Sequence, residues 1–195
     1  GTFTGCPAGA AQQTTSDFAA AINNNQSTKK RLLFRRSETW TTATAPRITT
    51  NGPGIVGAFG TGVAPKFIAA ASSAGLRLSD QLTPGIKDWR VMDIEIDGQD
   101  RAGGVGYEGG IDQTLLLRLN IHNVTSGVTS SGYILDVYNN GGHSGHTMWD
   151  QMAIVDTQVN VVNGGIPVSG MIGMFIYASR FTLMGSIVDP AGGGE

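Results

Sequence analysis

Three stretches of the chain align without a gap: VMDIEID (residues 91–97), LLRLNIH (116–122) and IVDTQVN (154–160). A fourth, TLMGSIV (182–188), aligns more loosely, and the successive offsets are 25, 38 and 28 residues. A companion set recurs beside them as GVGYEG (104–109), GYILDVY (132–138) and GMFIYAS (173–179). Each stretch alternates apolar and polar residues with the period of a β-strand. A β-rich unit repeated every 20 to 50 residues is the mark of a solenoid, here a parallel β-helix. A β-sandwich with coincidental similarity between strands is the competing reading.

The rest of the chain fits the same pattern. Short β-like runs separated by turn clusters are expected at 31–36, 46–50, 54–59, 66–70, 76–79, 89–97, 114–124, 132–138, 152–162, 173–178 and 181–189. The one good helix candidate is SDFAAAIN (16–23), where Ser16 or Asp17 can cap an alanine-rich pair of turns. Charged residues make up only 14% and glycine contributes 29 of 195 positions. Both values favour an all-β chain whose turns need positive φ. One domain is expected, with residues 1–30 as an N-terminal cap segment and 31–195 as the repeated units.

Composition also excludes some functions. A net charge of −2 leaves no basic footprint for nucleic acid. The single cysteine, Cys6, excludes an internal disulfide framework and a CxxC metal knuckle. No apolar run reaches 18 residues, so no membrane span is expected. The glycine runs at 52–62 and 103–110 lack the Walker lysine and the strand-loop-helix setting of a nucleotide loop.

A resemblance sharpens this reading. KKRLLFRRSETW (29–40) followed by RITTNGPGIVGAFGTGVAPKFI (47–68) resembles the leading segment of secreted right-handed parallel β-helix proteins of the pectin-lyase-like type. Ser37 stands where that family usually has glycine. The resemblance implies an extracellular or periplasmic bacterial protein whose partner is a polysaccharide. It implies binding, with cleavage by a hydrolase or lyase as the catalytic version. A non-catalytic adhesin, tailspike-like or surface structural module is the alternative. The chain stops at DPAGGGE directly after a strand. A solenoid end normally needs a cap, so the expectation is an N-terminal portion of a longer helix whose remaining C-terminal part is a further partner.

Stacking equivalent positions at strand spacing turns the alignment into columns. Met92, Ile94 and Ile96 are expected to face the core, with Asp93, Glu95 and Asp97 opposite. The polar columns are then Asp93/Arg118/Asp156, Glu95/Asn120/Gln158 and Asp97/His122/Asn160. The first is either a salt-bridge ladder or a site where Arg118 acts as a base. The third sets His122 beside Asp97 as an acid/base candidate. The companion strands give Glu108/Asp136/Tyr177, where two carboxylates on neighbouring units would form a glycosidase-like pair. Asp93, Asp97 and Asp100 form an oxygen-rich cluster suited to Ca²⁺, without the spacing of an EF-hand; no cofactor is certain.

The extra residues of the third unit include NNGGHSGHTMWD (139–150). Insertions in repeat proteins map to loops on one face, often the binding face. His143, His146 and Trp149 are therefore candidate sugar-facing residues, and Tyr177 of the companion column is a further substrate-binding candidate. A zinc site there would need Asp136 or Asp150 as a third ligand.

Overall fold

A computed structural model of the chain describes residues 4–69, 74–78, 86–99, 103–107, 111–124, 133–137, 150–160, 172–176 and 180–189. It begins with an irregular arm and one short helix, α1 (Phe18–Asn23). Asp17 caps that helix, its carboxylate accepting from the backbone N–H of Ala19 at 2.9 Å and of Ala20 at 3.1 Å. Phe18 and Ile22 are buried, and Phe18 stacks on Phe67 with ring centroids 4.4 Å apart.

The remaining elements are strands, grouped in successive units. The first unit holds β1 (Lys30–Arg35), β2 (Thr39–Thr41) and β3 (Arg47–Ile48). The second holds β4 (Gly54–Phe59), β5 (Lys66–Ile68) and β6 (Ala74–Leu78). The third has β7 (Ile86–Lys87), β8 (Trp89–Met92), β9 (Glu95–Asp97) and β10 (Gly103–Tyr107). The fourth has β11 (Ile111–Leu117), β12 (Asn120–His122) and β13 (Tyr133–Val137). The fifth has β14 (Asp150–Val155), β15 (Gln158–Asn160) and β16 (Ile172–Ile176), and β17 (Phe181–Met184) and β18 (Ile187–Asp189) follow.

These strands form three sheets, and each unit sends one branch to each. Sheet 1 runs β1-β4-β8-β11-β14-β17, with β7 also on β11. Sheet 2 runs β2-β5-β9-β12-β15-β18, and sheet 3 runs β3-β6-β10-β13-β16. All pairs within them are parallel, an arrangement compatible with a parallel β-helix. Parallel neighbours cannot be joined by a hairpin, so the chain must travel through the other sheets before returning. That topology makes the sequence repeat necessary.

Each sheet turns one side chain in two towards a shared core. Leu32, Val56, Val91, Leu116 and Ile154 line up in sheet 1, and Trp40, Phe67, Ile96, Ile121 and Val159 in sheet 2. Ile48, Leu76, Leu78 and Val105 complete the core from sheet 3. Burying one such aliphatic side chain contributes about 1.5–3 kcal/mol. Trp89 is fully buried and donates its indole N–H to the Thr50 carbonyl at 2.7 Å. Its ring lies against Gly54, where a Cβ would come within 2.6 Å of the ring carbons.

The registers of 91–97, 116–122 and 154–160 are those expected from the alignment: Val91↔Leu116↔Ile154 and Glu95↔Asn120↔Gln158. Three expectations are corrected. Leu183 pairs with Ile154 and Ile187 with Gln158, so the last repeat sits one residue further on than its looser alignment implied. In sheet 3 Asp136 pairs with Gly106 and Phe175, shifting the companion column by two residues in each direction. Met92 is half-buried, whereas Val91, Ile94 and Ile96 are fully inside.

The cause of this last difference is a corner. Asp93, Arg118 and Asp156 have φ of 59°, 51° and 48°, and Gly185 continues the column at 62°. One residue in the left-handed region turns the chain from sheet 1 into sheet 2 and resets the alternation. Inward positions are therefore spaced three and then two, not two throughout. Ser37 also has a left-handed φ of 63°, a backbone conformation that glycine adopts at less cost.

At the other end, Leu183, Met184 and Ile187 are exposed. β18 extends the sheet 2 ladder, and residues 190–195 lie outside the described residues.

Candidate functional site

The densest polar cluster among the described residues lies on the outward side of sheet 2. Strand pairing places Lys66 beside Glu95, and Glu95 beside Asn120, which is followed by Gln158. The neighbouring column sets Asp97 beside His122. The side chains then settle their own partners. Lys66 Nζ lies 2.6 Å from Glu95 Oε1 and 4.0 Å from Asp97 Oδ2. His122 Nε2 is 2.9 Å from the same Glu95 oxygen. His122 was expected to pair with Asp97; instead its imidazole reaches diagonally to Glu95, because the longer carboxylate extends towards it. Asp97 Oδ1 accepts from the Gln99 backbone N–H at 3.0 Å and from Asn123 Nδ2 at 3.2 Å. Those contacts fold Asp97 down until it is only 7% exposed.

The electrostatics follow from these contacts. Burial alone would raise the Glu95 carboxyl, but the hydrogen bonds from Lys66 and His122 outweigh it and hold it below the usual carboxylate range. Asp97 is likewise pushed up by burial and brought lower by Gln99 and Asn123. The Lys66 ammonium is raised, first by its hydrogen bond to Glu95. At neutral pH Glu95 is therefore an anion that accepts two hydrogen bonds, and it has no proton to give as a general acid.

The corner column adds a second cluster. Arg118 grips Asp93 with two hydrogen bonds, Nε to Oδ1 at 2.7 Å and Nη2 to Oδ2 at 2.8 Å. Arg36 approaches the same carboxylate at 3.6 Å. The Asp93–Arg118 step of the expected salt-bridge ladder is thus present. Its hydrogen bond to Asp93 raises the Arg118 guanidinium further, so the group cannot lose a proton and act as a base. The same two arginines neutralise Asp93, which removes a carboxylate from any Ca²⁺ cluster with Asp97. No group of three or more His, Cys, Asp or Glu able to hold a metal exists among the described residues.

Several candidates fall elsewhere. Glu108, Asp100, His143, His146, Trp149 and Tyr177 lie outside the described residues. For Asp136 the structure describes the strand, and its neighbours there are Gly106 and Phe175 in place of Glu108 and Tyr177.

Sequence reasoning did not join Lys66 to this cluster. Its signal was present: KFI (66–68) pairs with EID (95–97) in the same register that links the later repeats. Among the described residues no helix is long and apolar enough to cross a membrane. In comparisons with known proteins, no family model, no curated protein and no solved structure matches this chain.

Proposed function

We propose that the three parallel sheets are the walls of a right-handed parallel β-helix that binds an extended extracellular polysaccharide along the outward side of sheet 2. Right-handedness follows from the general rule for parallel crossovers. The carrying observation is the row Lys66, Glu95, Asn120 and Gln158, one polar side chain per strand on four consecutive strands. Strand spacing repeats such donors and acceptors about every 4.8 Å, a pattern that suits a polymer of hydroxyl-bearing units better than a compact ligand.

Binding without cleavage is the version that the described chemistry favours. Glu95 is held ionised by two donors and Arg118 is held charged by Asp93. Neither is poised to move a proton at neutral pH. In this reading the chain is a rigid polysaccharide-binding module of a secreted protein.

The test is co-sedimentation of the chain with a panel of insoluble neutral and uronate polysaccharides, with Asn120→Ala combined with Gln158→Ala as the variant. Both side chains are exposed, so the fold should stay intact while retention falls. Equal retention of wild type and variant on every polymer overturns the sheet 2 assignment. Appearance of reducing ends, or of an unsaturated-uronate absorbance, overturns binding without cleavage.

A further inference from the structure

β1 is the first strand of sheet 1, so within that sheet it is paired only on its β4 side. The register Arg35↔Phe59, and the bond from the Arg36 N–H to the Phe59 carbonyl at 3.0 Å, fix which backbone groups face β4. Alternation then turns the N–H and C=O of Arg31, Leu33 and Arg35 the other way, to the free edge. Among the described residues nothing hydrogen-bonds to those groups. A groove of about 420 Å³ lies along this edge, lined by residues 30–34 of β1 and by Ala11, Gln13 and Thr15 of the arm. No backbone hydrogen bond ties residues 7–15 of the arm to β1. The same segment is the most basic in the chain: KKRLLFRR (29–36) holds five of the 13 Lys and Arg residues. Glu38 answers Arg35 and Asp93 answers Arg36. Lys29, Lys30 and Arg31 are exposed and form no ion pair with a described residue.

We infer that the free edge of β1 binds an extended, acidic peptide segment, which adds to sheet 1 as one more strand. In strand addition the main chain supplies affinity and alternate side chains supply specificity. Charge selects the occupant. A second copy would present its own cationic β1 and be repelled, whereas carboxylates beside Lys30 and Arg31 are attracted. Cross-strand neighbours define the rest of the pattern. Outward positions suit an acid beside Arg31 and an apolar residue beside Leu33. Inward positions lie next to the buried Leu32 and Phe34 and suit a β-branched apolar residue. A uronate polymer shares the charge but has no row of amide N–H groups, so the backbone ladder separates the two. The site is independent of sheet 2's polar row.

The experiment is fluorescence anisotropy of the labelled peptide Glu-Val-Glu-Val-Leu-Val-Glu titrated with the full chain at neutral pH. Binding should be saturable and weaken as salt is added. Two further peptides are N-methylated, one at every valine and the other at every remaining residue. Only one edge of the peptide faces β1, so one of the two should lose binding and the other keep it. Lys30→Glu combined with Arg31→Glu changes two exposed side chains and should weaken binding by about tenfold or more. Leu33→Pro removes an N–H that belongs to the free edge and leaves the β1–β4 ladder untouched. It should weaken binding by about threefold or more, the worth of one hydrogen bond. The methylated peptides probe the same edge on the wild-type chain, so the outcome does not depend on how well Leu33→Pro folds. Absence of saturable binding overturns the inference, as does equal binding of the two methylated peptides. Oligogalacturonate that competes as tightly as the unlabelled peptide, or a double glutamate variant that binds as wild type does, overturns it too.

Discussion

Replacing Glu95 by glutamine keeps the side chain's volume and removes its charge, which isolates what the carboxylate contributes. Its Oε1 holds Lys66 Nζ at 2.6 Å and His122 Nε2 at 2.9 Å. The Glu95 and His122 side chains are 18% and 20% exposed, and Lys66 is 35% exposed. Such half-covered contacts fall between exposed ion pairs and hydrogen bonds to buried charge. Each is worth about 0.5–1 kcal/mol here, or about 1–2 kcal/mol for the two. For a chain of this length that lowers Tm by about 2–8 °C. The effect has a definite pH dependence. Glu95's folded pKa lies below its ordinary 4.5, so its contribution is complete above the unfolded value and disappears as pH falls through the folded one. Scanning calorimetry of wild type and Glu95→Gln should give a Tm gap that is present at neutral pH and closes as pH falls below Glu95's ordinary 4.5. A double-mutant cycle with Lys66→Met should return a coupling of about 0.5–1 kcal/mol. A gap that does not shrink as pH falls below 4.5, or no gap at about pH 7, would refute the reasoning.

Four further outcomes follow from the core and the corners. Phe67→Ala removes a fully buried ring that meets Phe18 at 4.4 Å and Phe34 at 4.7 Å. It should destabilise by about 3–5 kcal/mol, read by denaturant unfolding. Asp156→Val places a β-branched residue at φ of 48° and should cost about 1–2 kcal/mol, whereas Ser37→Gly should fall within about 0.5 kcal/mol of wild type, because relief of the left-handed backbone is offset by a freer unfolded chain. Thermal shift assays distinguish the two. Arg118→Lys loses the double grip on Asp93, but the arginine is half exposed, so the loss should stay below about 1 kcal/mol and shrink as salt is added.

Much of the architecture was legible because parallel pairing copies register directly into sequence. The alignment of 91–97, 116–122 and 154–160 is the strand pairing itself, and Ser16 or Asp17 before an alanine-rich run marked α1, which Asp17 caps. The corner was hidden because its residues differ in chemistry. Asp93, Arg118 and Asp156 share a backbone angle, and glycine, its usual signal, appears only at Gly185. Missing it sent Met92 inward. The companion strands were harder to place because GVGYEG offers little side-chain pattern to align, and Asp136 therefore came out two residues from its true neighbour. Partner choice among the charges was not legible either. His122 reaches Glu95 because of side-chain length, a property that strand columns do not carry.

The left-handed corner also divides the chain into places that accept insertions and a place that does not. Asp93, Arg118 and Asp156 each donate a backbone N–H to the adjoining unit, to Leu117, Val155 and Met184. Glu95, Asn120, Gln158 and Ile187 do the same one step later, to Pro65, Ile94, Leu119 and Thr157. An added residue there would break bonds in the unit above and the unit below together. From the third unit onward this link is two residues long, 93–94, 118–119, 156–157 and 185–186, although the offsets between units vary. All the variation in length falls on the two remaining connections. From the third unit onward the molecule thus has one closed seam and two open ones, and foreign loops or epitopes belong there between sheets 2 and 3 or between sheets 3 and 1.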